Sequence, residues 1–214
     1  MATARRTVTA LRPRSRDRVL VELDGEPWRV LPAAVVVRAG LREGLELDRR
    51  RVRTLRRELH RSDAFAVAAR ALQARELSVR RLAERLERAG ITPNAREEAL
   101  RALAEYGVVD DHRLASAAAH ALCERGLGDD AIRFRLDLLG VEDEEIDAAL
   151  AELAPEDKRA GEIAALRGPT QKTARYLARH GFGADAIEAA VGTLLAENRD
   201  AGYDTSASFD NFPA

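Results

Sequence analysis

The segment SVRRLAERLERAGITP, residues 78–93, contains the signals that determine the fold. Ser78 is a typical N-cap residue, and two leucines spaced four apart lie on one face of the helix that follows it. Gly90 supplies the left-handed conformation that ends such a helix, and Pro93 suits the first turn of the next one. The segment therefore predicts a helix, a sharp turn and a second helix.

The same pattern occurs three times along the chain. When the chain is aligned on Gly90, Gly140 and Gly181, the copies share apolar positions on both sides of the glycine without a gap, and Thr173 is the one mismatch. A repeat of this length predicts a stacked helical array, and we interpret each copy as a three-helix unit. The predicted helices cover 64–75, a helix capped by Ser78 and 93–106 in the first copy; 111–124, 129–139 and 142–153 in the second; and 155–166, 170–180 and 184–197 in the third.

The first 62 residues predict a different kind of structure, a β-hairpin followed by two helices. Asp24-Gly25 is a hairpin turn signal between two short apolar runs, and Pro32 ends the second run. The predicted elements are strands at 18–23 and 28–31, a short helix at 33–39, and a helix that starts at Asp48 and ends near His60.

The fold class is therefore predicted to be mainly α: an elongated array of three three-helix repeats with a small N-terminal β-hairpin and helix extension. The predicted boundaries are 1–62 for a basic N-terminal extension, 63–110, 111–153 and 154–197 for the three repeats, and 198–214 for a disordered tail.

The charges are distributed unevenly, although the formal net charge is only −1. Residues 1–62 carry 16 arginines and 8 acidic residues, whereas residues 63–214 carry 19 basic and 28 acidic ones. A basic head on an acidic body suggests contact with phosphate or with an acidic protein surface. An arginine-rich face that is simply solvated is the alternative, and charge alone leaves both open.

Basic residues at helical spacing suggest a binding surface, which we call the basic track. Guanidinium groups suit phosphate and carboxylate alike, whereas Glu84 and Glu87 allow ordinary pairing along the helix surface as the alternative. The track comprises Arg49, Arg53, Arg56, Arg57, Arg80, Arg81, Arg85, Arg88, Arg125, Arg133, Arg135, Lys172, Arg175 and Arg179.

Several classes of protein are disfavoured. His120 and Cys123 lie one turn apart on a predicted helix, but no third ligand stands at metal-binding spacing, and Cys123 is the one cysteine of the chain. We find no phosphate-binding loop, nucleophile elbow, secretory signal or membrane-spanning apolar run. We therefore predict a cytoplasmic protein that is not an enzyme and needs neither metal nor cofactor.

Two stretches resemble the RecX family of regulatory proteins. Tyr106–Ala115, YGVVDDHRLA, is similar to the family's junction between its first two repeats, and Tyr176–Phe182, YLARHGF, is similar to part of its third repeat. The spacing of Arg125-Gly126, Ile132-Arg133 and Leu136–Val141 between them also fits. The resemblance covers about residues 62–197.

The resemblance implies a non-enzymatic modulator of the RecA recombinase. Members of the family are helical-repeat proteins that lie in the groove of the RecA–single-stranded-DNA filament and restrain its growth, strand exchange, ATP hydrolysis and co-protease activity. The implied partners are the RecA filament and single-stranded DNA, contacted directly or through RecA; we expect a monomer with no membrane partner. Two alternatives remain open: a helix-turn-helix regulator of duplex DNA, and a protein scaffold unrelated to RecA.

Overall fold

A computed structural model describes residues 6–200, and it describes side chains as far as residue 192. Within that range the chain forms two compact units, and the division between them falls between Val109 and Asp110. The prediction of a mainly helical chain with three three-helix repeats is confirmed. The elements are β1 (Arg6–Ser15), β2 (Arg18–Leu23), β3 (Glu26–Pro32), α1 (Ala33–Arg38), β4 (Glu46–Leu47), α2 (Arg49–Ala74), α3 (Val79–Arg88), α4 (Pro93–Glu105), α5 (Asp111–Glu124), α6 (Asp129–Leu139), α7 (Asp143–Ala151), α8 (Glu156–Arg167), α9 (Gln171–Arg179) and α10 (Ala184–Asp200).

The head contains a four-stranded antiparallel sheet rather than a two-stranded hairpin. The predicted strands are present as β2 and β3, but β1 and the short β4 extend the sheet in the order β3-β2-β1-β4. The sequence did not reveal β1 because arginines and Pro13 interrupt its apolar residues. The correction matters for stability, since a lone hairpin is marginal in water and three or more strands with an apolar face are not.

The head has a hydrophobic core of its own. Val8, Val21 and Leu31 are fully buried together with Val35 of α1, and Leu55 of α2 closes the same cluster. The helix that starts at Asp48 therefore stabilises the sheet through Leu55, and Leu59 packs against the same cluster.

Helix α2 is one continuous element, whereas the sequence predicts two helices. It runs from Arg49 to Ala74 and so crosses residue 62, where the sequence suggested the head would end.

The Asp48 carboxylate accepts a hydrogen bond from Arg51 N at 2.7 Å, and this bond lowers the pKa of Asp48. The stabilisation from this cap is therefore fully present above the ordinary aspartate pKa and is lost as the pH falls through the lowered one.

The first repeat has the local structure that residues 78–93 predict. Ser78 Oγ accepts from Arg81 N at 3.2 Å and begins α3. Gly90 has a φ of +74°, and Ile91 N donates back to Leu86 O at 3.1 Å. These bonds satisfy the end of the helix and let α4 reverse direction.

The second and third repeats copy this arrangement. Gly140 and Gly181 have φ values of +81° and +77°, and the leucines four residues before them, Leu136 and Leu177, are fully buried. The mismatched Thr173 is buried as well, and its hydroxyl donates to Gly168 O at 2.6 Å. The hydrogen bond explains how a polar residue occupies a core position.

A tight joint holds the second and third repeats together within the second unit. Gly128 N donates to His180 O at 2.9 Å, and Asp130 N donates to Gly181 O at 3.1 Å. A Cβ at Gly128 would lie 2.3 Å from Gly181 O. Only glycine therefore allows the two backbones to approach this closely.

Charged side chains, of which Arg159 is buried, complete the joint. Arg159 is buried, donates to Leu127 O at 3.0 Å and pairs with Asp129. The carboxylate of Glu156 accepts from Asp129 N at 2.6 Å and from Gly183 N at 3.2 Å. Backbone groups at two loop ends are thus satisfied by side chains from the start of α8.

The disordered tail was predicted to begin at residue 198, but α10 extends to Asp200. The rest of the predicted tail, residues 201–214, lies outside the described residues.

The cap of α3 provides a stability test. Replacing the fully buried Ser78 with alanine removes the acceptor for Arg81 N, and we expect the free energy of unfolding to fall by about 1 kcal/mol. Thr92 occupies the equivalent N-cap position of α4 but makes no side-chain capping bond, so Thr92→Ala is the matched control and should change stability by less than about 0.5 kcal/mol. Urea unfolding measured by circular dichroism checks both, and equal stabilities would contradict the role given to the Ser78 hydroxyl.

Candidate nucleic-acid interface

The basic track divides between the two compact units. Its eight arginines on α2 and α3 belong to the first unit, and its six other cations, on or beside α5, α6 and α9, belong to the second. All are exposed except Arg80, Arg81 and Arg133, which are half-buried. That these cations act together as one binding track stays a prediction.

In the third repeat, four cations line one cleft of about 540 Å³. Three of them belong to the basic track, and the fourth is Arg167, which the sequence did not predict. None of the four forms an ion pair with any side chain that the structure describes, and the lining contains no carboxylate. We call this the repeat-three cleft; its lining residues are Arg167, Thr170, Lys172, Thr173, Arg175, Tyr176 and Arg179.

The two faces of α9 explain how the cleft forms. Thr173 and Leu177 point into the core, which leaves Lys172, Arg175 and Arg179 on the outer face at positions i, i+3 and i+7. With a rise of about 1.5 Å per residue, these cations follow the helix axis over roughly 10 Å. Such a row suits an extended chain of negative charges better than a single ion.

A stack of three side chains forms part of this cleft and extends beyond it. The Arg167 guanidinium lies 3.8 Å from the centre of the Tyr176 ring, and the ring of His180 stacks on the same tyrosine at 3.9 Å. His180 Nδ1 lies 2.8 Å from Tyr176 O, so this nitrogen carries the proton and donates. The stack holds planar groups beside the cations, as in proteins that bind single-stranded nucleic acid.

Sequence reasoning missed Arg167 and Tyr176 as members of the site. A signal was present, because Gly168-Pro169 ends α8 directly after Arg167 and places this arginine beside the start of α9. Tyr176 also stands one turn before His180. Neither signal shows on its own that the two side chains stack.

The arginines of α3 are partly neutralised. Glu84 lies 2.9 Å from Arg81 and 3.8 Å from Arg88, so one carboxylate serves two guanidinium groups. Arg85 is exposed and forms no ion pair with a described side chain. The pairing that Glu84 allows on this helix is therefore present, but the face keeps excess positive charge.

The arginines of α2 lie on the first half of that helix. Arg57 is 3.6 Å from Glu58, whose carboxylate is also 3.3 Å from Arg38. Arg53 and Arg56 are exposed and form no ion pair within the described range. This part of the track can therefore meet an anionic partner.

The second repeat offers least to an anion. Arg133 pairs with Asp147, and this hydrogen-bonded contact raises the pKa of the guanidinium. Arg125 and Arg135 are exposed on a repeat that carries 11 acidic and 4 basic residues over 111–153. Its net charge favours contact with a basic surface.

Two negative findings apply to the described part of the chain. It contains no group of three or more His, Cys, Asp and Glu side chains placed to hold a metal ion. None of its helices is both long enough and apolar enough to cross a bilayer.

The chain is similar to curated proteins named regulatory protein RecX. It is 35% identical to that of Halorhodospira halophila, over 58% of this chain and 83% of the relative. It is 31% identical to that of Deinococcus radiodurans, over 68% of this chain and 75% of the relative. No protein-family model matches the chain.

Solved structures show the same fold. A crystal structure of regulatory protein RecX superimposes with a TM-score of 0.72 at 20% identity, covering 86% of this chain and 98% of that one. The crystal structure of RecX from Lactobacillus salivarius gives a TM-score of 0.55 at 18% identity, covering 64% and 97%.

Proposed function

The chain belongs to the RecX family of regulatory proteins, and from this premise we propose that it binds the RecA–single-stranded-DNA filament and restrains RecA. Recombinase, ATPase and co-protease activities would all fall, because each depends on the filament. The protein acts by binding, without catalysis or a cofactor, as a monomer in the cytoplasm, where it takes part in the control of DNA repair and the SOS response.

The repeat-three cleft is the observation that supports this proposal best. Four cations without a carboxylate attract a phosphodiester backbone, and guanidinium forks bind phosphate oxygens in pairs. The Arg167–Tyr176–His180 stack presents planar groups against which a base can pack. Single-stranded DNA, with exposed bases and phosphates, offers both kinds of contact.

The uneven distribution of charge along the chain suggests which partner each repeat contacts. We assign the acidic second repeat to a basic protein surface of the filament and the cationic faces of α3 and α9 to the DNA. Several weak contacts made by one chain reinforce each other, because the first contact raises the effective concentration of the rest. Moderate contacts can then hold the protein on the filament.

The test uses purified protein and RecA filaments on single-stranded DNA. We expect the protein to co-sediment with the filaments and to slow their ATP hydrolysis. Tight duplex binding without any effect on RecA would instead favour a helix-turn-helix regulator, and inactivity in both assays would favour a protein scaffold. Either of these results contradicts the proposal.

The α3 arginines give a first variant. We expect the triple change of Arg81, Arg85 and Arg88 to glutamate to weaken filament binding about tenfold, since it replaces attraction to phosphate by repulsion. The effect is limited because Glu84 already neutralises part of this face. Filament affinity is measured by co-sedimentation at several protein concentrations.

A control triple makes the same change of net charge elsewhere. Arg42, Arg101 and Lys158 are exposed, lie outside the basic track and form no ion pair with described side chains. Their joint replacement by glutamate should reduce affinity by less than about threefold, from the long-range field alone. Equal losses in both triples would show that only net charge matters and that α3 makes no contact.

A further inference from the structure

A groove in the first unit shares one lining residue, Arg56, with the basic track. Strand β3 forms one wall and α2 the other, and the space between them is about 550 Å³. β3 is the edge strand of the sheet, with β2 as its one strand neighbour among the described residues. An edge strand beside a helix is the arrangement in which several domains bind an extended peptide as an added strand.

The outer edge of β3 has a main-chain attachment point at Val30. Ala33 N donates to Asp17 O at 2.8 Å, so these two residues form a hydrogen-bonded pair. Along an antiparallel ladder, hydrogen-bonded pairs of residues alternate with pairs that are not hydrogen-bonded. Leu31 therefore forms backbone hydrogen bonds with Val19 of β2, whereas Val30 directs its N–H and C=O away from the sheet. The main chain of an added peptide strand can accept a hydrogen bond from the Val30 N–H and donate one to the Val30 C=O.

The groove walls expose apolar surface. The exposed fractions of Trp28, Val30 and Val52 are 40%, 42% and 39%, and the fully buried Leu31 belongs to the same lining. Trp28 is the extra residue of a bulge, because Val21 pairs with Arg29 and Glu22 pairs with Pro27. Bulges redirect side chains, and this one places the one tryptophan of the chain against the groove.

The charges around the groove favour an acidic occupant. Arg18, Arg29 and Arg56 line it, and none of them pairs with a described carboxylate. Two aspartates, Asp17 and Asp63, lie on the same lining, so positive charge is in excess. The arginines at the start of α2 add to that excess.

We infer that this groove binds an extended peptide segment of a protein partner, and that this segment carries both acidic and apolar residues. The peptide adds to β3 through the main chain of Val30, places an apolar side chain against Trp28 and Val52, and directs carboxylates toward Arg29 and Arg56. A nucleic acid fits less well, because Leu31, Leu55 and Leu59 make part of the lining aliphatic. The inference does not depend on binding to RecA.

The experiment uses the 214-residue chain and fluorescein-labelled eight-residue peptides that combine aspartate with valine, leucine or phenylalanine, in alternating and in paired order. We expect at least one such peptide to bind with a dissociation constant below about 100 μM and its unlabelled form to shift Trp28 emission to shorter wavelength. Lysine in place of aspartate should abolish binding. No binding by any aspartate peptide up to about 1 mM would overturn the inference.

Paired variants locate the contact. Val30→Pro removes the outward N–H without removing a ladder bond and should weaken binding about tenfold, whereas Val30→Thr keeps the N–H and should bind within about twofold of wild type. Arg56→Glu should also weaken binding about tenfold, and Arg50→Glu, outside the groove on the same helix, should not. Binding that survives both Val30→Pro and Arg56→Glu, or a Trp28 shift produced by oligo-dT instead of peptide, would overturn the inference.

Discussion

Replacing Gly128 with alanine is expected to lower the free energy of unfolding of the second unit by about 3 kcal/mol. The new Cβ would lie 2.3 Å from Gly181 O and 2.4 Å from the Phe182 backbone. Both are main-chain atoms held in a loop, so no side chain can rotate away. The φ of Gly128 is −83°, so the loss would come from the contact alone and not from backbone strain.

The same change breaks hydrogen bonds. Separating the two backbones lengthens the bonds from Gly128 N to His180 O and from Asp130 N to Gly181 O. It also moves Asp129 away from the buried Arg159, and a buried cation without its partner is costly. The loss in the free energy of unfolding should therefore lie at the upper end of the range of about 1–3 kcal/mol that is typical of overpacked sites.

Thermal unfolding measures this effect, with Gly161→Ala as the control. Gly161 lies inside α8, and a Cβ added there would meet no atom within 4 Å outside the backbone of its own helix, so alanine should stabilise the protein by about 0.5–1 kcal/mol. For Gly128→Ala we expect the midpoint of the second unit to fall by more than about 10 °C. Circular dichroism follows both units, whereas Trp28 fluorescence follows the first unit and should not change. An unchanged midpoint for Gly128→Ala would contradict the close approach of the two backbones.

Reversing Lys172, Arg175 and Arg179 to glutamate is expected to weaken filament binding at least about 100-fold. These three side chains form the outer row of the repeat-three cleft, and no described carboxylate neutralises them. The loss of affinity should exceed that of the α3 triple, because Glu84 already pairs with two of the three α3 arginines. The proposed DNA contact of the third repeat depends on this difference.

The salt dependence of binding separates phosphate contacts from protein contacts. Removing one cation from a phosphate of single-stranded DNA makes the slope of log affinity against log salt less negative by about 0.7, so removing three should change the slope by about 2. Binding to free oligo-dT should fall in parallel. The control triple at Arg42, Arg101 and Lys158 should leave the slope unchanged. A cleft triple with wild-type slope and affinity would refute direct contact between α9 and DNA.

The ends of the helices were predictable because they are encoded locally. Ser78, Gly90 and Pro93 each act on hydrogen bonds within a few residues of themselves, so their effect is readable without knowledge of the fold. The repeat register was predictable for the same reason. Thr173 broke the apolar pattern and is nevertheless buried, because Gly168 O happens to lie where its hydroxyl can donate.

Other features depend on residues far apart in the chain. β1 pairs with β2 and β4, and its arginine-rich sequence shows no clear strand pattern, so the four-stranded sheet could not be foreseen. The two helices predicted around residue 62 are one, because no proline or glycine interrupts 49–74 and both halves of α2 find apolar partners. The sequence contained the evidence for continuity, but the repeat boundary suggested a break.

The sequence alone determined that the chain is helical, that its unit repeats three times, and that its cations gather on the outer faces of helices. Helix capping and apolar spacing are short-range effects, which explains why one sequence was enough. Only the tertiary structure decided that Arg167 and Tyr176 complete a cleft around α9, that Gly128 must lack a side chain, and that β3 leaves an open edge beside α2. Each of these features depends on contact between two segments that are separate in the sequence. The free energy of such a contact depends on both segments and cannot be derived from either one alone.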